Sequence, residues 1–315
     1  MAANGLSLEA TGPVKTRAAG LSIASNISLI ALKVVAGAVT GSVAILTEAL
    51  HSAIDLVASI VAWVSVRKAD EPADAEHRYG HHKIENLSAA IEGILILVGS
   101  GVIAFEAIRK LAKGEPLDKL GFGIAVMAVS GVANLVVSAY LYRQARATES
   151  PALEGDAAHL RTDAMTSFGV LVGLALVEIT GATWLDPAVA LVVAAAIVYS
   201  GVRILTRSGR ALVDEALPPE ELEAIREAVV SFGPEGVAGY HNLRTRSAGS
   251  RRYVDLHVQF RAGTTLEEAH ATAHALQREI ERRLRNADVL IHLEPEDRVR
   301  PGQEILSDRH RVNEG

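Results

Sequence analysis

Two copies of the pattern His-x-x-x-Asp carry the chemistry of this chain: His51 with Asp55, and His159 with Asp163. Four-residue spacing on a helix puts both members of a pair on one face, one turn apart. Each pair lies in or at the mouth of a long apolar run, where an ionisable side chain is costly and marks a functional hypothesis by default. Two such helices facing each other bring together two imidazoles and two carboxylates, the tetrahedral N/O set that zinc favours. The chain has no cysteine. Any metal is therefore held by His, Asp or Glu, and neither a disulfide nor a thiolate site is available.

The charge balance of that set implies a mechanism. Two neutral imidazoles, two carboxylates and one divalent cation sum to zero, so a loaded site is tolerable inside a membrane. The emptied site keeps two negative charges in low dielectric, which is costly. Protons are the replacement at hand, so metal release is expected to draw protons in and metal binding to expel them.

Two further groups have ligand-type side chains. Asp74, His77 and His81 have ligand-like spacing in the loop Pro72 to Lys83; a charged, solvated loop is the alternative reading. His241, His257, His270, His292 and Glu294 fall on different predicted elements, and on spacing alone scattered surface histidines explain them as well. His292 and Glu294 share one face of a strand, as do Asp255 and His257. His270 and His274 stand at i, i+4 on a helix, a ligand pair or a solvated face.

The elements that must position these residues follow from hydropathy. Of 315 residues, 49% are hydrophobic, 4% aromatic and 22% charged, and the mean hydropathy is +0.23. That is the composition of a membrane portion diluted by a polar soluble portion. Six apolar stretches, near residues 17–38, 43–66, 84–108, 120–142, 157–180 and 186–206, approach or exceed the roughly 20 residues that an α-helix needs to span a bilayer. A six-helix transmembrane bundle is expected over 15–211, preceded by a disordered segment 1–14. The first run is long and followed by more of the same, so no cleavable signal is expected. With the amino terminus in the cytoplasm, the inside receives Lys15, Arg17, Arg67, Lys68, Arg78, Lys83, Arg143, Arg146, Arg203, Arg207 and Arg210, against Arg109, Lys110, Lys113 and Lys119 outside. The bias favours both termini in the cytoplasm. Asn26, Lys33, Glu48, Glu92 and Asn134 interrupt the apolar runs; they pair across helices, snorkel, or line a hydrated path. Gly93, Gly99, Gly101, Gly169 and Gly173 permit close helix approach.

After Arg210 the pattern becomes amphipathic. Pro218-Pro219-Glu220-Glu221 opens a helix that runs to about Val230, followed by strands at about 240–246 and 253–260, a helix at about 266–284 and a strand at 288–293. The order αββαβ predicts a small two-layer α+β domain over 212–297, with a loose charged tail at 298–315. A net charge of -6 gives no reason to expect nucleic acid, which selects basic stripes.

The motifs Leu50-His51-Ser52-Ala53-Ile54-Asp55, Pro72-Ala73-Asp74 through Gly80-His81-His82-Lys83, His159-Leu160-Arg161-Thr162-Asp163, Asp214-Glu215-Ala216-Leu217-Pro218, His241-Asn242-Leu243-Arg244-Thr245-Arg246 and Ile291-His292-Leu293-Glu294-Pro295 together resemble the cation diffusion facilitators, over nearly the full length. The chain is similar to the bacterial ferrous-iron/zinc efflux members. The resemblance implies a homodimer of six-helix subunits in the inner membrane, each with a cytoplasmic ferredoxin-like domain, exporting divalent metal by proton antiport with alternating access. It implies a transport site of His51, Asp55, His159 and Asp163, a loop site of Asp74, His77 and His81, and a two-metal cytoplasmic site at the dimer interface drawing on His241, His257, His270, His292 and Glu294. It further implies that Lys83 and Asp214 form a charge pair interlocking the subunits. Two departures stand out. His51 occupies a position where the close bacterial relatives have Asp, and so resembles the zinc-selective members; Glu294 replaces an Asp. The expected substrate is Zn²⁺, with Cd²⁺, Co²⁺, Ni²⁺ and Fe²⁺ as alternatives. A membrane-anchored metal sensor is the alternative function. An enzyme is not expected: four protein ligands close the site and no His-Glu-x-x-His is present.

Overall fold

The computed structural model describes residues 8–40, 43–113, 123–296 and 304–305. Its contacts divide the chain between Arg210 and Ala211. The first unit holds six long helices: α1 (Leu8–Thr40), α2 (Val43–Ala69), α3 (Lys83–Lys113), α4 (Gly123–Thr148), α5 (Pro151–Thr180) and α6 (Leu185–Leu212). Among the described residues, all but α2 are long and apolar enough to cross a membrane. Punctuation sets the limits of α5. Ser150 caps its start, with Oγ accepting from the Leu153 N–H, and Pro151 follows where its missing N–H costs nothing; Gly181 ends it in the left-handed conformation at φ 72°.

This unit buries many polar side chains among its apolar contacts and turns large apolar ones outward. Ser22, Asn26, Ser59, Asp156 and Glu92 are buried, whereas Val39, Val98, Phe105, Ile179, Val192 and Tyr199 face outward. A water-soluble bundle would reverse that distribution, while a bilayer accepts an apolar exterior. The interior is held together by hydrogen bonds across helices. Asn26 Nδ2 donates to Ser59 Oγ at 2.9 Å, Ser59 donates to Asp156 Oδ1 at 2.8 Å, and Lys33 Nζ donates to Ser52 Oγ at 2.7 Å. Interhelical pairing therefore accounts for Asn26 and Lys33. The packed seam between α4 and α5 is built from Leu141, Ala145, Leu153, Ala157 and Leu160, small and branched chains that let the two backbones close up.

The N-terminal expectation is corrected. Residues 8–14, expected to be disordered, belong to α1, which carries Pro13 within it. The reason is the anchoring of its next turn: Lys15 is 1% exposed and donates to Glu85 Oε1 of α3 at 2.8 Å, with Asp70 as a second partner. A buried ammonium paired twice holds the helix that bears it. Of the glycines expected at helix contacts, Gly93, Gly169 and Gly173 meet neighbours too close for a Cβ, whereas Gly99 and Gly101 have nothing within 4 Å.

The second unit begins with α7 (Pro219–Ser231) and a single 3-10 turn, Gly233–Glu235. It continues with β1 (Val237–Ala248), β2 (Arg251–Phe260), α8 (Leu266–Arg283) and β3 (Ala287–Pro295). β1 and β2 are antiparallel; α8 carries the chain back so that β3 pairs parallel with β2. Thr265 and Glu268 form a reciprocal capping box at the start of α8. Val254, Leu256 and Val258 point to the same side of β2 and pack with Ile225, Val229, Leu276 and Ile280 of the two helices. The period of two then sends Asp255, His257 and Gln259 to the opposite face. One further correction falls in the expected tail. Glu304–Ile305 forms a fourth strand, β4, antiparallel to β1 at Gly239 and Tyr240, giving the order β3-β2-β1-β4. The unpaired edge of β1 supplies the backbone donors and acceptors that draw the segment in. The rest of 297–315 lies outside the described residues.

Candidate metal centres

Three groups of ligand-type side chains have their donor atoms within 4.8 Å of one another: Asp55 with His159 and Asp163, Asp74 with His77 and His81, and His241 with His257 and Glu294.

In the helical unit, α2 supplies Asp55 and α5 supplies His159 and Asp163. His159 Nε2 stands 3.2 Å from Asp55 Oδ1 and 4.0 Å from Asp163 Oδ2. All three lie in the interior, Asp163 the least buried. The i, i+4 step on α5 carries the carboxylate and the imidazole to one face. His51 lies on α2 one turn before Asp55; its side chain is outside the described residues. One imidazole and two carboxylates converging among buried residues are a donor set that could hold a divalent cation, whose two charges the carboxylates would balance.

The loop group is made by turn chemistry. Asp74 Oδ1 accepts from the backbone N–H groups of Glu76 at 2.9 Å and His77 at 2.6 Å, an Asx turn that folds the loop back on itself. Those donors, the His77 N–H foremost, hold the Asp74 carboxyl below the ordinary carboxylate range. Gly80, at φ 79°, then turns the chain so that His81 comes to 3.1 Å from Asp74 Oδ2, while His77 Nδ1 is 3.2 Å from Oδ1. The approach of His81 lacks hydrogen-bond alignment, and both ring nitrogens of this buried imidazole are without a partner.

In the C-terminal unit the three strands set one rung. His241 of β1 pairs with His257 of β2, and His257 with His292 of β3. Glu294, two residues beyond His292 on the same face, accepts from His241 Nε2 at 2.7 Å and from His257 Nδ1 at 2.9 Å. The His241 contact first, then His257, brings its carboxyl down to about 2. A bulge after His241, with Asn242 at φ 56°, interrupts the pairing, which resumes with a shifted register at Arg244 and Asp255. His292 is more peripheral, 64% exposed and 3.7 Å from Glu294 Oε1. His270 does not join the group. It lies on α8, on the helical side of the sheet, and pairs with His274 at 3.1 Å between their Nε2 atoms. The helix covers the face opposite the histidine rung, so one copy of the chain cannot bring them together. Lys83 opens α3 and Asp214 follows α6; within its own unit Asp214 lies 3.4 Å from Arg246.

Sequence reasoning missed two features. Glu92, marked only as a polar interruption, lies 3.5 Å from His159 Nδ1. The Lys15, Asp70 and Glu85 cluster joins α1, the end of α2 and α3, and Ser150 at the start of α5 donates to Glu85. Neither is spaced within one element, so no local pattern points to them.

Residues 20–213 match the family model of the cation efflux transmembrane domain, and residues 217–296 match that of the cation efflux protein cytoplasmic domain. The chain is 37% identical over 275 residues to the uncharacterized transporter sll1263 of Synechocystis sp., covering 87% of this chain and 88% of that one. It is 35% identical over 282 residues to the cation-efflux pump FieF of Yersinia enterocolitica, covering 90% and 93%. A solved structure of CzrB in its zinc form is 36% identical over 28% of this chain and 98% of that one, with a TM-score of 0.26.

Proposed function

We propose a zinc exporter, from the premise that this chain belongs to the cation diffusion facilitator family of cation efflux transporters, whose two domain models span residues 20–213 and 217–296. The protein is thus a membrane protein of cation efflux. The finer reading is export of cytoplasmic Zn²⁺ in exchange for H⁺ by a homodimer in the inner membrane, both termini cytoplasmic, α2 crossing with the other five helices and the C-terminal unit ferredoxin-like. The observation that carries it is the convergence of Asp55, His159 and Asp163 among buried residues of long apolar helices. In this reading His51, which precedes Asp55 by one turn of α2, is the fourth ligand, for a set of two imidazoles and two carboxylates. That set suits zinc and serves manganese poorly, since manganese prefers more oxygen. Discharging the cation leaves uncompensated carboxylates in low dielectric, and protons restore neutrality. Cd²⁺, Co²⁺, Ni²⁺ and Fe²⁺ are the competing substrates.

Asp74, His77 and His81 take up metal on the cytoplasmic side in this reading, and the His241, His257 and Glu294 group binds metal where two C-terminal units meet. A dimer interface would also allow His270 to approach the rung from a second copy, and Lys83 and Asp214 to pair between subunits. Metal bound there favours the associated form, and rocking of the helices exposes the membrane site alternately to each side.

The test is metal flux in proteoliposomes under an imposed pH gradient. Wild type moves Zn²⁺ with counterflow of protons, Asp163→Ala falls to the background of empty vesicles, and His51→Asp gains Cd²⁺. Wild type that binds zinc but moves none under any gradient overturns the exporter and leaves the membrane-anchored metal sensor.

A further inference from the structure

Among the described residues of the helical unit, Glu92 alone is a carboxylate with both oxygens buried and both without a hydrogen-bond partner. It is 0% exposed. A buried carboxylate without a hydrogen bond is expensive, and Gln or Leu would fill the same space at lower cost, so packing does not explain it.

Its surroundings do. Gly155 lies on α5 one turn before His159, and a Cβ there would meet Glu92 Cβ and Cγ at 3.1 Å and Ala89 Cα at 3.2 Å. The bare glycine lets the stem of Glu92 lie against α5, which places Oε2 3.5 Å from His159 Nδ1. That nitrogen is also buried and without a hydrogen-bond partner. The opposite nitrogen, Nε2, is the one facing Asp55 and Asp163.

A neutral imidazole that offers one nitrogen to a metal carries its proton on the other, and the group accepting that proton's hydrogen bond fixes both tautomer and ring plane. We infer that Glu92 is the positioning residue of the membrane site: it accepts from His159 Nδ1–H and leaves Nε2 free for the cation. A shift of about 0.5 Å closes the separation to hydrogen-bond length. Glu92 touches the cation nowhere in this arrangement and acts through His159. The inference rests on the membrane site being the transport site.

The experiment measures initial rates of Zn²⁺ flux against Zn²⁺ concentration in proteoliposomes of the full chain. The variants are Glu92→Leu, Glu92→Asp, Glu92→Gln and Asp163→Ala. Glu92→Leu is expected to raise KM about 10- to 100-fold, the usual loss when the outer partner of a metal-bound histidine is removed, with the rate at saturating zinc largely kept. Glu92→Asp, shorter by one methylene, should behave like Glu92→Leu and keeps the test alive should that variant fail to fold. Glu92→Gln retains a carbonyl acceptor of the same reach and should return KM to within a few-fold of wild type. An unchanged KM, a loss confined to the maximal rate, or Glu92→Gln behaving like Glu92→Leu overturns the assignment. If flux is lost in Asp163→Ala while Glu92→Leu keeps the wild-type KM, the role of Glu92 alone fails. If wild type shows no flux, or Asp163→Ala keeps it, the transport-site reading fails and takes this inference with it.

Discussion

In the helical unit, Asp55, His159 and Asp163 are gathered from two helices by turn spacing; in the C-terminal unit, His241, His257 and His292 are gathered from three strands by register. The two assemblies differ in what they do with their polar atoms. Glu294 accepts from His241 and His257, which brings its carboxyl down to about 2, while His292 stands off at 3.7 Å. Around His159, one ring nitrogen and both oxygens of Glu92 have no hydrogen-bond partner. Among the described residues, every buried side-chain polar atom lacking a partner belongs to the helical unit. Such atoms are costly and call for water, an ion or a moving proton. Around the membrane site the unsatisfied atoms are thus those of the Glu92 and His159 contact, while within the ligand set His159 Nε2 is 3.2 Å from Asp55 Oδ1.

Breaking the two sites separately tests this division. Asp55→Ala is expected to reduce zinc flux to vesicle background while zinc still protects the amides of β1, β2 and β3 from hydrogen exchange. Glu294→Ala is expected to do the converse, removing zinc-dependent protection of those strands while flux persists. If Glu294→Ala stops flux as completely as Asp55→Ala, the two regions are one functional unit and the distinction fails.

A smaller effect sharpens the packing side of the comparison. Gly155→Ala places a methyl against Ala89 Cα at 3.2 Å, a backbone atom that cannot rotate away. Overpacking is expected to cost about 1–2 kcal/mol, outweighing the gain of about 1 kcal/mol in helix propensity. A lowered melting temperature in detergent would show it; a raised one would mean that α3 and α5 yield freely.

The smallest effect is a control in the C-terminal unit. Arg282 first, then Arg283, brings the Glu279 carboxyl down to about 2 from an ordinary 4.5. Since the folded value lies below the unfolded one, the stabilisation is complete above the unfolded value and is lost as pH falls through about 2. The cluster lies half-buried at the surface, with Arg282 in solvent, and screening limits it to about 0.5 kcal/mol. Glu279→Gln should speed hydrogen exchange over α8 slightly at neutral pH and leave it unchanged near pH 2. Equal effects at both pH values would show that packing, and not the arginines, is responsible.

Much of the fold was legible because its signals are local. Hydropathy marked the six helices, Ser150-Pro151 and Gly181 punctuate α5, and the alternation Tyr253 to Phe260 marks β2 with His257 on the face away from the core. The errors have one physical origin. Residues 8–14 were read as loose because Gly12-Pro13 breaks local helical pattern, yet Lys15, paired with Glu85 from 70 residues away, anchors the helix. Glu304–Ile305 looked like tail because pairing to an open strand edge leaves no mark on two residues. His270 is a different case: the resemblance places it in a site at a dimer interface, and within one copy the layering of helix on sheet keeps it apart from the other histidines.

The chain order alone determined which side chains could bind a cation, since residue type and the i, i+4 or i, i+2 step are properties of neighbours in sequence. It also determined that six long runs would be helical, because each apolar run must satisfy its own backbone hydrogen bonds. Tertiary structure decided which donors meet. Asp55 and His159 are 104 residues apart, the pairing of His241, His257 and His292 depends on strand register, and Glu92 reaches His159 only because Gly155 leaves room between two helices. Distances of that kind are set by packing, in which each contact is conditional on all the others.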